Sequence, residues 1–269
     1  MSQAAPRPFF GYYTVDIFDC PPFEMFSNGD DPIASHILHL GKFEPYSMKL
    51  WCHLACMATG IVDIGAHVGL YTLVAAALRS DIPIFAFEPN PHAYARLRVN
   101  KMKNDFKNIS ESNFAVGEQA GLAEFSWLRR EHAVISSGGH IGPPKVGDEH
   151  NFETSVTRIT PLDAVAGARD LGAHGLIKID VEGAEALVFA GMRKTVETCR
   201  PDIILETFQR VACEAINPLI LPLGYKVFGI DEAGQLLEQP MLLKKSPGDN
   251  RFYNQLLTTR PERVRGITL

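Results

Sequence analysis

Gly60-Ile61-Val62-Asp63-Ile64-Gly65-Ala66-His67-Val68-Gly69, followed by Phe85-Ala86-Phe87-Glu88-Pro89-Asn90, decides the fold of this 269-residue chain. The first stretch reads as a buried strand running into a glycine turn. Leu70, Leu73, Val74, Ala77 and Leu78 then recur at the i, i+3, i+4, i+7, i+8 spacing of a buried helix face. The second stretch is another strand, ending in an acid. Open α/β sheets hold adenosine-containing cofactors with this succession of parts.

Outward from it the alternation continues. Residues 92–102 read as a second helix, 112–116 as a third strand and 123–128 as a further short strand. Between 129 and 154 the pattern breaks into Ser136-Ser137-Gly138-Gly139-His140 and Gly142-Pro143-Pro144, a long loop of the kind that forms lids or stays disordered. Strand 155–159 and a short helix after Thr160-Pro161-Leu162-Asp163 follow. Residues 176–179 make a fourth buried strand, with Leu187, Val188, Met192 and Val196 on the inner side of the next helix. Residues 202–205 make the fifth. The chain closes with strands 225–230 and 252–257, separated by the turn Asp231-Glu232-Ala233-Gly234 and a loop. Such alternation predicts an α/β, doubly wound, mostly parallel sheet.

The first fifty residues differ. Pro6, Pro8, Pro21, Pro22, Pro32 and Pro45 interrupt them, and aromatics from Phe9 to Tyr46 recur without a period. This composition predicts a segment without long helices that packs as a cap on its neighbour. The expected division is an N-terminal extension over 1–55 and a main domain over 56–269.

Composition bounds the function. A hydrophobic content of 46% suffices for a core. A net charge of −5 creates no field that would gather a phosphate backbone, so nucleic acid is a poor partner. The five cysteines have no metal-binding or CxxC spacing and read as reduced thiols. No apolar run approaches the ~20 residues of a membrane span, and residues 1–8 lack a signal pattern. The expectation is a cytoplasmic protein; a homo-oligomer is left open.

The chemistry gathers at strand ends. Gly65 and Gly69 clear side chains where a ligand meets the backbone, and the helix that follows aims free N–H groups at it. The spacing Gly65-x-x-x-Gly69 is not GxGxxG, and Asp63 would repel a pyrophosphate while favouring a cation. S-adenosylmethionine, with an amino group and a sulfonium, fits that charge. Glu88, about 20 residues beyond the turn, suits the hydroxyls of a ribose. Asn113 ends the third strand at the same edge, beside an adenine or in a turn. Asp180, Glu182 and Glu206 crowd the ends of the fourth and fifth strands, where a carboxylate can take a proton from an acceptor hydroxyl. Whether a divalent metal assists is left open. Lys178, inside an apolar strand, reads as structural.

The segments Val62-Asp63-Ile64-Gly65-Ala66-His67-Val68-Gly69-Leu70-Tyr71-Thr72, Phe87-Glu88-Pro89-Asn90-Pro91, Asn113-Phe114-Ala115-Val116-Gly117, Thr160-Pro161-Leu162-Asp163 and Ile177-Lys178-Ile179-Asp180-Val181-Glu182-Gly183-Ala184-Glu185 resemble the FkbM family of S-adenosylmethionine-dependent methyltransferases. The resemblance covers about residues 59–206. It implies a class I, Rossmann-like methyltransferase fold of seven strands, the seventh antiparallel, and transfer of a methyl group to oxygen on a sugar, glycolipid, polyketide or similar small molecule. It further implies that Asp63, Gly65, His67, Gly69, Tyr71 and Thr72 border the methionine part of the cofactor, Glu88 takes the ribose and Asn113 lies by the adenine. Asp180 and Glu182 would border the acceptor. His67 stands where the family often has Asn.

Two other classes compete. A nicotinamide-dependent oxidoreductase would use the turn and Glu88, but it calls for GxGxxG and a Tyr-x-x-x-Lys element, which the chain lacks. A cofactor-binding interaction module without catalysis has no need of Asp180, Glu182 and Glu206.

Overall fold

The computed structural model describes residues 9–129, 139–144, 146–207, 209–244 and 254–268. The chain opens with a hairpin of β1 (Phe10–Val15) and β2 (Phe23–Asn28), then α1 (Pro32–Leu40) and α2 (Pro45–Met57). The alternating region follows: β3 (Gly60–Ile64), α3 (Leu70–Leu78), β4 (Ile84–Phe87), α4 (Pro91–Lys103) and β5 (Ile109–Ser112). Four strands then form a separate small sheet: β6 (Ala115–Val116), β7 (Gly121–Leu128), β8 (His140–Ile141) and β9 (Phe152–Thr160). The chain returns to the main sheet with β10 (Gly175–Ile179), α5 (Glu185–Gly191), α6 (Arg193–Cys199) and β11 (Asp202–Glu206). It ends with α7 (Arg210–Ile220), β12 (Lys226–Asp231), β13 (Gln235–Gln239) and β14 (Asn254–Thr258).

The main sheet runs β13-β12-β14-β11-β10-β3-β4-β5. The five strands from β11 to β5 are parallel, and β14 lies antiparallel between β11 and β12. The doubly wound class and the antiparallel insertion follow the expectation, and β13 adds an eighth strand at the edge. Strand order reverses between β3 and β10, so a crevice opens beyond their carboxyl ends.

Both faces of the sheet are covered, and residues alternate between them. Ile61, Ile84, Leu176, Ile204 and Leu256 pack with Trp51 of α2 and Leu73 and Val74 of α3. Val62, Ile64, Ile177, Ile203 and Leu205 pack with Val188, Val196 and Ile216. The N-terminal segment shares the first of these cores. Trp51 Nε1 donates to the Tyr71 carbonyl at 3.0 Å, and α2 runs across residue 55.

Several local expectations need correction. The N-terminal segment does carry a long helix: α2 has 13 residues, because Pro45 sits in its first turn, where a missing N–H removes no helical bond. The third strand of the main sheet is β5, not 112–116. Only Ile109 of β5 is fully buried, so it lacks an apolar signature, while Ala115 and Val116 pair with Ile159 and Thr160 of the small sheet. The helix expected after Thr160 is a single 3₁₀ turn, Leu162–Ala164. The 129–154 stretch is not structureless throughout, since β8 pairs with β7 and β9 begins at Phe152. Residues 130–138, with Ser136-Ser137-Gly138, and 252–253 of the last expected strand lie outside the described residues.

The turn after β3 admits glycine alone at its first position. Gly65 has φ +82°, and a Cβ built on it would sit 1.8 Å from the Asp180 carbonyl oxygen. Gly65→Ala is therefore expected to lower the unfolding free energy by about 3 kcal/mol or more. Gly121→Ala, where a Cβ meets nothing within 4 Å, should change it by less than ~0.5 kcal/mol. Urea denaturation of the two variants checks the contrast.

Candidate active site

A cleft of about 770 Å³ lies over the strand ends, large enough for a cofactor and a second small molecule. Its floor is built by hydrogen bonds between strands. The N–H groups of Gly65 and Ala66 donate to the Phe87 carbonyl at 2.9 and 3.0 Å, and the Asp180 N–H donates to the Ile64 carbonyl at 2.9 Å. Three strand ends, carrying Asp63, Glu88 and Asp180, are thereby held at one place.

Glu88 follows β4 and is 6% exposed. Its Oε2 accepts the His67 N–H at 2.7 Å and its Oε1 accepts the Asn90 N–H at 2.8 Å. Each oxygen keeps a second lone pair for a hydroxyl in the cleft. Burial lifts its pKa to about 7, against those two N–H groups and with help from Asp63 and Asp180. Asp63 is raised to about 6, again by burial, although Thr72 Oγ1 donates to its Oδ2 at 2.6 Å.

The residues expected around the cofactor divide into two layers. Asp63, Gly65, His67, Tyr71, Glu88 and Asp180 line the cleft. Gly69, Thr72 and Asn113 stand behind it. Gly69, with φ +97°, lets α3 approach Leu97 of α4, and Thr72 holds Asp63. Asn113 Nδ2 donates to the Glu88 and Pro89 carbonyls at 2.8 and 3.1 Å, so it shapes the turn that presents Glu88, while Phe114 lines the cleft in its place. At the acceptor edge, Asp180, Glu182 and Glu206 all line the cleft.

Four further residues come from outside the expected set. Lys178, read as structural, lines the cleft and pairs with Asp180 Oδ2 at 3.3 Å. Glu44 and Glu232 line it from the N-terminal segment and from the β12–β13 turn. Asn254, the first residue of β14, joins the same polar cluster. Glu44 Oε2 accepts the Tyr71 hydroxyl at 2.6 Å, and Glu232 Oε2 accepts the Tyr46 N–H at 2.8 Å. A backbone signal marks one of them. Among the described residues six that are not glycine have positive φ, and three of these, Glu44, His67 and Glu182, line the cleft. Such strain collects at functional sites. No group of three or more His, Cys, Asp or Glu among the described residues is disposed to hold a metal ion. No helix among them is long and apolar enough to cross a membrane.

Residues 63–227, more than half of the chain, match the model of the Methyltransferase FkbM domain. The chain belongs to the FkbM methyltransferase family, whose domain depends on S-adenosylmethionine. It is 29% identical to the 31-O-demethyl-FK506 methyltransferase FkbM of Streptomyces tacrolimicus, over 49% of this chain and 58% of that protein. It is 25% identical to the methyltransferase sdnD of Sordaria araneosa, over 55% of this chain and 66% of that one. The chain thus spans less than two thirds of either relative. Among solved structures, a methyltransferase FkbM from Methylobacillus flagellatus KT has a TM-score of 0.44 at 15% identity, covering 75% of this chain and 43% of its own.

The raised carboxyls set a pH dependence. A carboxyl whose folded pKa exceeds its unfolded value holds its proton more tightly in the folded state. Its contribution to stability is full below the unfolded value and is lost as pH rises through the folded one. For Glu88 that window runs from about 4.5 to about 7. Without ligand, Glu88→Gln should gain on the unmutated protein by about 2 kcal/mol between pH 5 and pH 8, as read by urea unfolding at both.

Proposed function

We propose that the chain is an O-methyltransferase acting on a hydroxyl of a small molecule. One observation carries the reading: a single cleft is lined by Asp63 near the end of β3, by Glu88 just beyond β4 and by Asp180 just beyond β10. The first two suit an adenosine-containing cation. The third suits an acceptor.

The residues fit S-adenosylmethionine in chemistry and in space. Glu88 would take the ribose hydroxyls, and Asp63, with His67 and Tyr71 beside it, would face the charged amino-acid end. Bound there, the cofactor supplies an electrophilic methyl group on a sulfonium. The protein's part is alignment and proton removal. Asp180, paired with Lys178, would receive the hydroxyl proton of the acceptor, with Glu182 and Glu206 in the same cleft. Alignment of two bound reactants lowers a barrier by roughly 7–11 kcal/mol, so a single carboxylate base suffices. Phe43, Phe125 and Ile141 line other parts of the cleft and give the acceptor apolar walls.

Calorimetry with S-adenosylmethionine and with nicotinamide dinucleotides tests the cofactor. Binding of the former alone is expected, and heat from the dinucleotide alone would overturn the reading. Glu88→Ala should weaken S-adenosylmethionine by about 30-fold, the loss of hydrogen bonds to a charged acceptor. Transfer of labelled methyl to a panel of hydroxyl compounds tests the reaction. Asp180→Asn should retain S-adenosylhomocysteine and lose about 100-fold in transfer rate. Label appearing on nitrogen or carbon instead of oxygen would contradict the assignment.

A further inference from the structure

A buried lysine is out of character in a cleft suited to a cation. Lys178 is 1% exposed and lies in the central strand β10, in register with Asp63 of β3 and hence on the same face. Its ammonium is 3.3 Å from Asp180 Oδ2, 3.1 Å from Asn254 Oδ1 and 5.1 Å from the centre of the Tyr71 ring. These partners are themselves tied down. The Tyr71 hydroxyl and Asn254 Nδ2 both donate to Glu44 Oε2, at 2.6 and 2.9 Å. Glu44 and Asn254 lie outside the residues matched to the family domain, so three distant parts of the chain build this clamp. Burial pulls the pKa of the ammonium down, but Asp180, Glu44, Glu206 and Asp63 outweigh it and hold that pKa above the ordinary value. The charge is permanent.

A fixed ammonium weakens the hold on any cationic ligand nearby. It becomes useful when the bound cation is the reactant and the product is neutral. An interaction that disfavours the charged reactant more than the discharging transition state raises the rate of the step between them. Resting on the methyltransferase reading above, we propose that Lys178, clamped by Asp180, Asn254 and the Tyr71 ring, sets the cleft's preference between the sulfonium and thioether forms of the cofactor. In the transfer the methyl carbon bonds to the acceptor oxygen, the carbon–sulfur pair stays on sulfur and the hydroxyl proton passes to Asp180. Lys178 neither gains nor loses a proton. Asp180 pulls the same preference the other way.

The test compares S-adenosylmethionine with S-adenosylhomocysteine by calorimetry at pH 8.5, where Asp63 and Glu88 are ionised. Lys178→Met should tighten the sulfonium compound relative to the thioether by about tenfold, and Asp180→Asn should shift the ratio about as far in the opposite direction. A lysine that only supports the fold would weaken both compounds alike. An unmoved ratio in folded Lys178→Met overturns the proposal. Should that variant fail to fold, Lys178→Gln carries the test, because its amide can still meet Asp180 and Asn254 while the charge is gone. It should move the ratio toward the sulfonium compound, and an unmoved ratio overturns the proposal. An unmutated protein that binds neither compound refutes the methyltransferase reading itself, which is distinct from binding both with an unmoved ratio.

Discussion

Everything at the cleft depends on one close contact, the crossover turn after β3 lying against the end of β10. With no side chain at Gly65, the Asp180 carbonyl occupies the space that a Cβ would fill. The Asp180 N–H bonds to Ile64 from the same side, while Gly65 and Ala66 bond to Phe87 on the other. Backbone hydrogen bonds, rather than flexible side chains, therefore fix the separation of the three strand ends. Positioning by rigid elements of this kind keeps binding groups in register without a large entropic cost on binding.

The charge distribution then follows from burial. Asp63 and Glu88 are almost wholly removed from water, and their protons are correspondingly hard to lose. A cationic ligand with hydroxyl donors would stabilise both as carboxylates. Lys178 is the counterweight. Without that nearby ammonium, Asp180, Asp63 and Glu44 would repel one another in a medium that screens charge poorly. The clamp of Asn254 and Tyr71 fixes where that ammonium stands.

Much of this was legible in the sequence because the signals were local. The glycine turn, the helix period after it and the acid after β4 all lie within 60–88, and each reflects a rule that acts over a few residues. The acids Asp180, Glu182 and Glu206 were legible for the same reason, being strand-end residues of an apolar strand. What escaped was non-local. Glu44 reaches Tyr71 and Asn254 across 27 and 210 residues, and no periodicity encodes such a meeting. Lys178 looks structural because its strand is apolar, whereas Asn254 and Tyr71 meet it from β14 and α3. β5 and β13 leave no pattern in the sequence because edge strands need only one covered face, and their polar residues hide the alternation. Pro45 reads as a break in the sequence, yet it starts a helix.

The most direct measurement is a crystal structure of the complex with S-adenosylhomocysteine. The account predicts both ribose hydroxyls on the Glu88 carboxylate, the amino-acid end beside Asp63, and the sulfur facing Asp180 across space open to an acceptor. A ligand bound elsewhere on the chain, or one whose ribose leaves Glu88 bonded only to the N–H groups of His67 and Asn90, would contradict it.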